Sequence, residues 1–297
     1  MENMTAKVSC FARAFHYKNN DFWVFKDEMA EKLLGTHEYQ AIAENMAQGI
    51  KFFAPDFKGS KEESLRFIAD KQLSPSVLGR SAFCEQHLKK ECEAGCRQYI
   101  IFAAGYDTFS FREKNPNLKV YNLDLPEVIA DRKEKTEKYK LSYKTETQEI
   151  PCNLSKDSLQ QKLAEYGFDE TEKTFGSLLG ISYYLAKEDF QKLLNKISKI
   201  IPENSAICLD FPLENTGTES EKNRKLAKAA NEQMKAKYSY EEMEKLLVAN
   251  GFQICEYLDA NKMTEKYFEA YNSHNSEHTM KAPEGVGYLF AIKKTVK

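Results

Sequence analysis

Residues 98–107 read QYIIFAAGYD: a short, nearly continuous apolar run followed by two alanines, a glycine and, two positions later, an aspartate. An apolar run of this length is typical of a strand that is buried on both faces, as in a parallel sheet. Small residues after such a strand let the backbone approach a ligand closely. The segment therefore predicts the first strand of a parallel sheet and a ligand-binding turn at Ala103, Ala104, Gly105 and Asp107.

Strands and helices alternate along the chain after this segment. Further strands are predicted at residues 118–123, 147–150, 175–182, 205–211, 251–258 and 286–293, and helices at residues 126–139, 155–166, 187–200, 222–238 and 240–250. This alternation predicts an α/β, Rossmann-like fold with a seven-stranded, mostly parallel sheet and helices on both faces. Residues 259–285 are polar and asparagine-rich and predict no helix, so we expect the last two strands to pair antiparallel at one edge.

The first 95 residues have helical patterns and no strand candidate. Helices are predicted at residues 22–34, 38–51, 61–73 and 76–93. The third begins with Ser60 and Glu63 in the spacing of a capping box. We therefore predict a helical N-terminal lid region over residues 1–95, and a Rossmann-like domain over residues 96–297 that forms one compact unit with it.

The composition is that of a globular protein, with 42% hydrophobic and 30% charged residues and a net charge of −2. The lysine-rich stretch 133–144 is interleaved with glutamate, which is typical of a solvated helix face, so we expect no nucleic-acid partner. No apolar run approaches the roughly 18 residues of a membrane span. Residues 1–8 have no apolar core of a signal peptide. We expect a cytoplasmic protein with no membrane partner.

Seven cysteines, an odd and scattered set, predict free thiols in a reducing compartment. Cys84, Cys92 and Cys96, with His87, form the one local cluster. Their spacing matches none of the common zinc patterns, so we predict no metal site, with a metal at this cluster as the alternative.

The turn after the first strand and the acid after the second indicate an adenosine-containing cofactor. Asp124 follows the second strand, where a carboxylate can accept hydrogen bonds from ribose hydroxyls. A dinucleotide site needs three glycines before a helix that faces pyrophosphate. This chain has Gly105 and then Asp107, whose charge would repel pyrophosphate but not the ammonium or sulfonium of S-adenosylmethionine. The residues therefore favour S-adenosylmethionine over NAD, with a plain strand–turn as the alternative.

Residues 98–112 (QYIIFAAGYDTFSFR) resemble the cofactor loop of the leucine carboxyl methyltransferase family, which typically reads hydrophobic-L-G-A-G-x-D-T-x-x-x-R. Residues 120–128 (VYNLDLPEV) resemble the family's next block, in which Asp-hydrophobic-Pro follows the second strand. Arg80 is similar to the arginine that holds the methionine carboxylate. Residues 12–30 are similar to the family's helical lid, and residues 177–194 to its segment with Tyr-Leu before a helix.

The resemblance implies a methyltransferase that uses S-adenosylmethionine. The cofactor-binding residues that it implies are Arg80, Ala103, Ala104, Gly105, Asp107, Thr108, Asp124, Leu125, Asn153 and Leu154. Gly105 would lie under the methionyl part, Asp124 would hold the ribose, and Arg80 would pair with the carboxylate through its planar fork. Asn153 stands where the family usually has an aspartate, and Leu179 where it often has a glutamate. These departures argue against a leucine carboxylate as the substrate and favour the diverse bacterial branch of the family.

We expect O-methylation of a carboxylate or a hydroxyl on a small molecule. Methyl transfer is an in-line displacement, and an enzyme that catalyses it mainly positions the nucleophile. A carboxylate is already ionised, whereas a hydroxyl needs a base, and the candidates are His16 in the lid and Tyr183 and Tyr184 after the fourth strand. The alternatives are a protein C-terminal carboxyl or a nitrogen as acceptor, an NAD(P)-binding oxidoreductase, and a catalytically silent cofactor-binding module.

Overall fold

The computed structural model describes residues 3–214 and 233–294, and seven strands of these residues form one sheet. The strands are β1 (Gln98–Phe102), β2 (Lys119–Asp124), β3 (Glu146–Pro151), β4 (Thr174–Leu178), β5 (Ala206–Pro212), β6 (Phe252–Leu258) and β7 (Val286–Lys293). Their order is β3-β2-β1-β4-β5-β7-β6, with β7 antiparallel to both of its neighbours and the other pairs parallel. The predicted fold class, including its antiparallel edge, is confirmed.

Helices cover the rest of the regular structure. In the described residues they are α1 (Met4–Lys18), α2 (Ala30–Leu34), α3 (Thr36–Gln48), α4 (Ile50–Phe53), α5 (Lys61–Ile68), α6 (Ser74–Glu93), α7 (Phe109–Arg112), α8 (Pro126–Lys138), α9 (Leu159–Glu165), α10 (Lys187–Ile200), α11 (Tyr240–Ala249), α12 (Ala260–Tyr267) and α13 (Glu269–His274). A π-helical turn, Ala69–Leu73, joins α5 to α6, and a 3₁₀ turn, Ser276–His278, follows α13. The boundary predicted after residue 95 falls between α6 and β1, and the division into a lid and a second domain stays a prediction.

Side chains on both faces of the sheet are buried. Ile100 and Phe102 of β1 belong to one hydrophobic cluster, and Tyr99 and Ile101 to another, because successive residues of a strand point to opposite faces. A third cluster unites α1, α2 and α3 with Tyr106 of the turn after β1. The lid helices thus pack directly on the predicted cofactor turn.

The N-terminal helices differ from the prediction in one place. Residues 22–29 are not helical, because side chains bond their backbone in its place: the Val24 amide donates to the His16 ring and the Met29 amide to Asp27. Such local bonds compete with helix formation. The capping box of α5 is confirmed, since the Glu63 amide donates to Ser60 Oγ (3.1 Å) and the Ser60 amide to Glu63 Oε2 (2.7 Å).

The prediction of no helix between the last two strands is wrong. Asp259 caps α12 by accepting a hydrogen bond from the Lys262 amide (2.9 Å). Met263 and Phe268 are buried against Gly79 of α6, and Tyr271 is buried on α13. These few apolar side chains are enough to fix the helices, although the polar residues around them hide the pattern.

Three further element ends differ from the prediction. Strand β4 ends at Leu178 rather than at residue 182, because Gly180 turns the chain with a φ of +70°. Helix α9 begins at Leu159 rather than at residue 155. The predicted helix 222–238 lies mostly outside the described residues, but its end is wrong: residues 233–238 are not helical, and the Tyr238 amide donates to the carbonyl of Pro212 (2.9 Å).

No helix in the described ranges is long and apolar enough to cross a membrane.

Candidate active site

The candidate site lies at the carboxyl ends of the parallel strands, where ligands bind in open α/β sheets. The turn after β1 has a left-handed backbone at Ala103 (φ +57°) and at Gly105 (φ +51°). A Cβ on Gly105 would come within 2.9 Å of Cβ of Ala6, so helix α1 contacts the turn directly. Glycine at this position therefore serves both the backbone conformation and the close approach of the lid.

Two buried arginines hold three consecutive carbonyl groups of this turn. Arg132 of α8 donates to the carbonyls of Gly105 (2.8 Å) and Asp107 (2.9 Å). Arg13 of α1 donates to the carbonyl of Tyr106 (2.7 Å) from the lid side. Since both guanidinium groups are buried, these charge-assisted bonds fix the shape of the turn from two sides.

Arg132 is itself held by an ion pair beneath the turn. Its Nε and Nη2 donate to Glu149 of β3 at 3.1 and 3.0 Å, and Asn122 and Tyr143 donate to the same carboxylate at 2.9 Å each. Burial alone raises the pKa of Glu149, but the Arg132 charge and these donors hold it below its ordinary value. The pair therefore stays ionised at neutral pH.

A second buried carboxylate, Asp27, connects the lid to the end of the turn. It accepts hydrogen bonds from Arg13 Nε (2.8 Å) and Thr108 Oγ1 (2.7 Å), and Arg112 lies 3.4 Å away. Burial raises the pKa of Asp27, yet the Arg112 and Arg13 charges and these hydrogen bonds leave it lowered overall. The hydroxyl of Thr108, a predicted cofactor residue, thus donates its hydrogen bond to Asp27. We call Arg13, Asp27, Thr108 and Arg112 the Asp27 cluster.

Asp124, at the end of β2, accepts two backbone hydrogen bonds. The amides of Gly105 and Leu125 donate to its two oxygens at 2.7 Å each. Its carboxylate is almost fully buried, and this burial raises its pKa. A carboxylate offers about four lone-pair sites, so about two remain for hydroxyl donors.

The other predicted cofactor residues of this edge follow β2 and β3. Leu125 is exposed, Asn153 is half-buried and Leu154 is buried. The amide oxygen of Asn153 accepts the Ser155 amide (3.1 Å). Asp107 accepts a hydrogen bond from the Phe109 amide (2.7 Å) at the start of α7, and the cofactor contacts of these residues stay predictions.

Arg80 contacts Asp210, an acid that is not among the predicted site residues. Asp210 of β5 is fully buried and accepts hydrogen bonds from the Gly180 amide (2.6 Å), Tyr183 Oη (3.0 Å) and Arg80 Nη1 (3.4 Å). A Cβ on Gly180 would lie 2.8 Å from the guanidinium of Arg80, so this glycine leaves room for it. Arg80 Nη2 also reaches Ser9 Oγ of α1 at 3.4 Å. These bonds use two of the five N–H donors of the guanidinium.

A cavity of about 1750 Å³ lies between the lid and the strand ends. Arg80, Tyr183 and Tyr184 line it together, as does Gly180. The turn residues and Asp124 are not part of its wall. The structure thus brings together three of the predicted site residues in one cavity and leaves the turn next to it, in contact with α1.

His16 lies apart from this cavity. Its ring is fully buried in the lid, with Nε2 accepting the Val24 amide (3.0 Å) and Nδ1 lying 3.3 Å from the Asn20 side-chain amide. Burial, and then the charge of Arg66, lower the pKa of His16 to about 3. The ring is therefore neutral at physiological pH and is not brought together with Tyr183.

The predicted cysteine cluster does not converge as a whole, although Cys92 and Cys96 contact each other. Cys84 lies 3.8 Å from the Tyr99 hydroxyl, Cys96 donates to the Gln98 carbonyl, and His87 contacts Glu256 at 3.0 Å. Over residues 3–214 and 233–294, no group of three or more histidine, cysteine or acidic side chains could hold a metal ion. All seven cysteines are free thiols.

Seven strands in the order 3-2-1-4-5-7-6 with the seventh reversed, a glycine turn after β1 and an acid at the end of β2 are the features of the class I methyltransferase fold. The sequence profile of the leucine carboxyl methyltransferase family matches residues 6–198. The YktD protein of Bacillus subtilis (strain 168), whose name provisionally describes an S-adenosyl-L-methionine-dependent methyltransferase, is 33% identical over 304 aligned residues that cover 98% of each chain. The chain belongs to the leucine carboxyl methyltransferase family and is an S-adenosylmethionine-dependent enzyme.

Two solved structures share this fold over nearly the whole chain. A DUF574 family protein from Streptomyces avermitilis has a TM-score of 0.59 at 12% identity and covers 96% of this chain and 97% of its own. A protein from Thermobifida fusca, provisionally described as a methyltransferase, has a TM-score of 0.56 at 13% identity. The match covers 98% of this chain and 94% of the Thermobifida protein. At such low identity these likenesses show the fold alone.

The residues at the strand ends fit S-adenosylmethionine. Asp124 keeps lone pairs for ribose hydroxyls, and Arg80 keeps donors for a carboxylate. The turn at Gly105 is approached closely by Ala6 of α1, so the lid covers this point of the backbone. The family assignment rules out the NAD(P)-binding oxidoreductase as an alternative.

Proposed function

We propose that this enzyme transfers a methyl group to oxygen on a small molecule, and that a carboxylate is the preferred acceptor. S-adenosylmethionine supplies an electrophilic methyl group on its sulfonium. The chain's own residues then have to hold the cofactor, align the acceptor oxygen and exclude water. If the acceptor oxygen is already ionised, these residues do not also have to supply a general base.

The observation that carries this proposal is the state of Tyr183. Tyr183 lines the cavity, but its hydroxyl donates to the buried carboxylate of Asp210 at 3.0 Å. Burial, and then the negative charge of Asp210, raise the pKa of Tyr183 well above its ordinary value. A phenol that is held protonated is a poor general base at neutral pH.

His16 is also a poor candidate for the general base, but for a different reason. Its pKa of about 3 would suit a base at neutral pH only weakly, and its ring nitrogens face the lid rather than the cavity. Two of the three candidate bases are therefore unsuited to deprotonating an alcohol. A neutral hydroxyl or an ammonium acceptor would need such a base, whereas a carboxylate would not.

Cofactor contacts are proposed for the residues named from the family resemblance. Arg80 would pair with the methionine carboxylate, and Asp124 would accept the ribose hydroxyls. The turn at Ala103, Gly105 and Asp107 would lie along the methionyl part. Support comes from the donors of Arg80 and the lone pairs of Asp124 that their intramolecular bonds leave over.

The test is a competition between acceptor classes. The protein is incubated with S-adenosylmethionine and, separately, with small carboxylic acids, phenols, alcohols and amines, and with a peptide that has a free C-terminal carboxyl. S-adenosylhomocysteine and the methylated product are measured by mass spectrometry. We expect product from the acids, as methyl esters that release methanol on mild alkaline treatment.

Methyl ethers or methylamines in place of esters would contradict the proposal, as would a clear preference for the peptide. A matched control is Tyr183→Phe, which removes the hydroxyl but keeps the ring. If the phenol is not a base, this variant keeps most of its turnover of an acid. Loss of turnover of a phenol or an alcohol by about 100-fold or more, the range of general-base catalysis, would instead assign to Tyr183 the removal of the proton from a hydroxyl acceptor.

A further inference from the structure

The lid side of the cavity has an apolar wall. We define this apolar wall as six lid residues that line the cavity: Val8, Ile42, Met46, Phe52, Phe53 and Leu73. Ile42 belongs to the hydrophobic cluster of the lid, and Val8, Met46 and Leu73 pack against that cluster. The wall is thus the inner surface of a packed core and has a defined shape.

Phe52 and Phe53 form the part of the apolar wall on α4. Their rings lie 5.2 Å apart at nearly a right angle, a favourable aromatic geometry. Phe52 is 44% exposed, one of few large apolar side chains of the described residues with so much contact to water. Apolar surface that faces water inside a concave site is a mark of ligand binding.

The volume of the cavity exceeds what one ligand needs. Sites for small molecules usually measure about 300–1,000 Å³, whereas this cavity measures about 1750 Å³. Its inner side has Arg80, Gly180 and Tyr183, where the proposed methyl transfer takes place. The remaining space leads from these residues to the apolar wall without leaving the cavity.

Three charged side chains near this end pair with one another, and a fourth lies over an aromatic ring. Glu38 lies in ion pairs with Lys135 (2.6 Å) and with Lys7. Burial raises the pKa of Glu38, but its hydrogen bonds with Lys135 and Lys7 leave it lowered overall. Lys138 lies over the ring of Tyr139 at 5.5 Å. Recognition at this end therefore depends mainly on apolar contact.

We propose that the apolar wall binds the apolar body of the methyl acceptor, so that the substrate is a carboxylic acid with an alkyl or aryl chain. This inference rests on the proposed function, because the acid group is taken from it. The carboxylate lies toward Arg80 and Tyr183, and the chain extends toward α3 and α4. An acid without such a chain leaves the apolar wall in contact with water.

The experiment is a chain-length series of straight-chain acids. Butanoate, hexanoate, octanoate and decanoate are each assayed with S-adenosylmethionine, and kcat/KM for methyl ester formation is measured. Burying one methylene group is worth up to about a fourfold gain in binding. We expect kcat/KM to rise by about 100-fold or more from butanoate to octanoate.

Phe52→Ala tests the apolar wall itself. Because Phe52 is partly exposed, its removal should leave the fold intact. We expect kcat/KM for octanoate to fall about tenfold with that for butanoate nearly unchanged. Phe57→Ala is the matched control, since the Phe57 ring packs on Phe67 at 5.4 Å and is not among the residues that line the cavity.

Two outcomes would overturn the inference: equal turnover of short and long acids, or equal losses in the Phe52 and Phe57 variants. The proposed function would survive both, since acids are still methylated. Calorimetry of octanoate binding separates the opposite case. If octanoate binds the native protein, binds the Phe52 variant about tenfold more weakly and is never methylated, the apolar site stands and carboxylate methylation fails.

Discussion

Replacing Arg132 by methionine would leave a buried carboxylate beneath the cofactor turn without its cation. Arg132 makes two bonds with Glu149 at 3.1 and 3.0 Å and two with the carbonyls of Gly105 and Asp107. Removing one partner of a buried ion pair costs about 3–5 kcal/mol. We therefore expect the free energy of unfolding at pH 8 to fall by about that amount.

The pH dependence of this loss identifies its cause. In the native protein the pKa of Glu149 is lowered, so its contribution is complete above the ordinary glutamate range and is lost only as the pH falls through the folded-state value. Without Arg132, burial dominates and raises the pKa of Glu149. The carboxyl then takes up a proton on folding, so the variant regains stability as the pH falls from 8 to 5.5.

The assay is urea unfolding at pH 8 and pH 5.5, with linear extrapolation to water. The double variant Arg132→Met with Glu149→Gln is the matched control, because glutamine keeps an oxygen for Asn122 and Tyr143 but has no charge. It should recover part of the loss at pH 8 and show little difference between the two pH values. A loss in Arg132→Met that is the same at both pH values, and is not relieved by Glu149→Gln, would refute the reasoning.

Three further predictions concern the cavity, the turn and the lid. Arg80→Ala and Asp210→Asn should each weaken S-adenosylmethionine binding by roughly 1–3 kcal/mol in calorimetry. The double variant should bind the cofactor as well as Arg80→Ala does, because Asp210 acts through Arg80, and additive losses would contradict this. Gly105→Ala should weaken cofactor binding at least tenfold, whereas Gly95→Ala, also at positive φ but with open space around it, should change only stability; equal binding in both would contradict the contact with Ala6. His16→Gln should leave the pH profile of kcat/KM between pH 6 and 8 unchanged, and a displaced profile would restore its catalytic role.

The strands and the turn could be predicted because their signal is local. A buried parallel strand is a short apolar run, and β1, β2 and β5 all show one, so their positions were within one or two residues of those observed. The segment after β6 failed because its helices depend on single buried side chains, such as Met263 and Phe268, whose partners on α6 are distant in sequence. No window of that segment contains the packing that fixes it.

The polar core of the site was harder to predict for the same reason. Arg80 and Asp210 are 130 positions apart, and nothing in the sequence near either residue indicates the other. Arg132 stands beside a mixed-charge run that is typical of a solvated helix face. It shares a face with Val128 and Ile129, both buried, and an arginine in such an apolar stripe is the one signal that could have revealed it. His16 was a candidate base because of its predicted place in the lid, but its burial depends on the tertiary fold.

The anchoring of the cofactor turn through its carbonyl groups bears on how this loop can evolve. Every amino acid has a carbonyl, so Arg13 and Arg132 grip the loop whatever side chains it displays. Ala103 illustrates this tolerance, since it holds a left-handed conformation that costs a non-glycine residue roughly 1–2 kcal/mol. Mutational drift at positions such as Ala103 can thus erode the glycine signature while the geometry persists, although the contact with Ala6 still requires glycine at position 105. Distant homologues should then be easier to recognise by the two arginines and their acidic partners than by the loop they support.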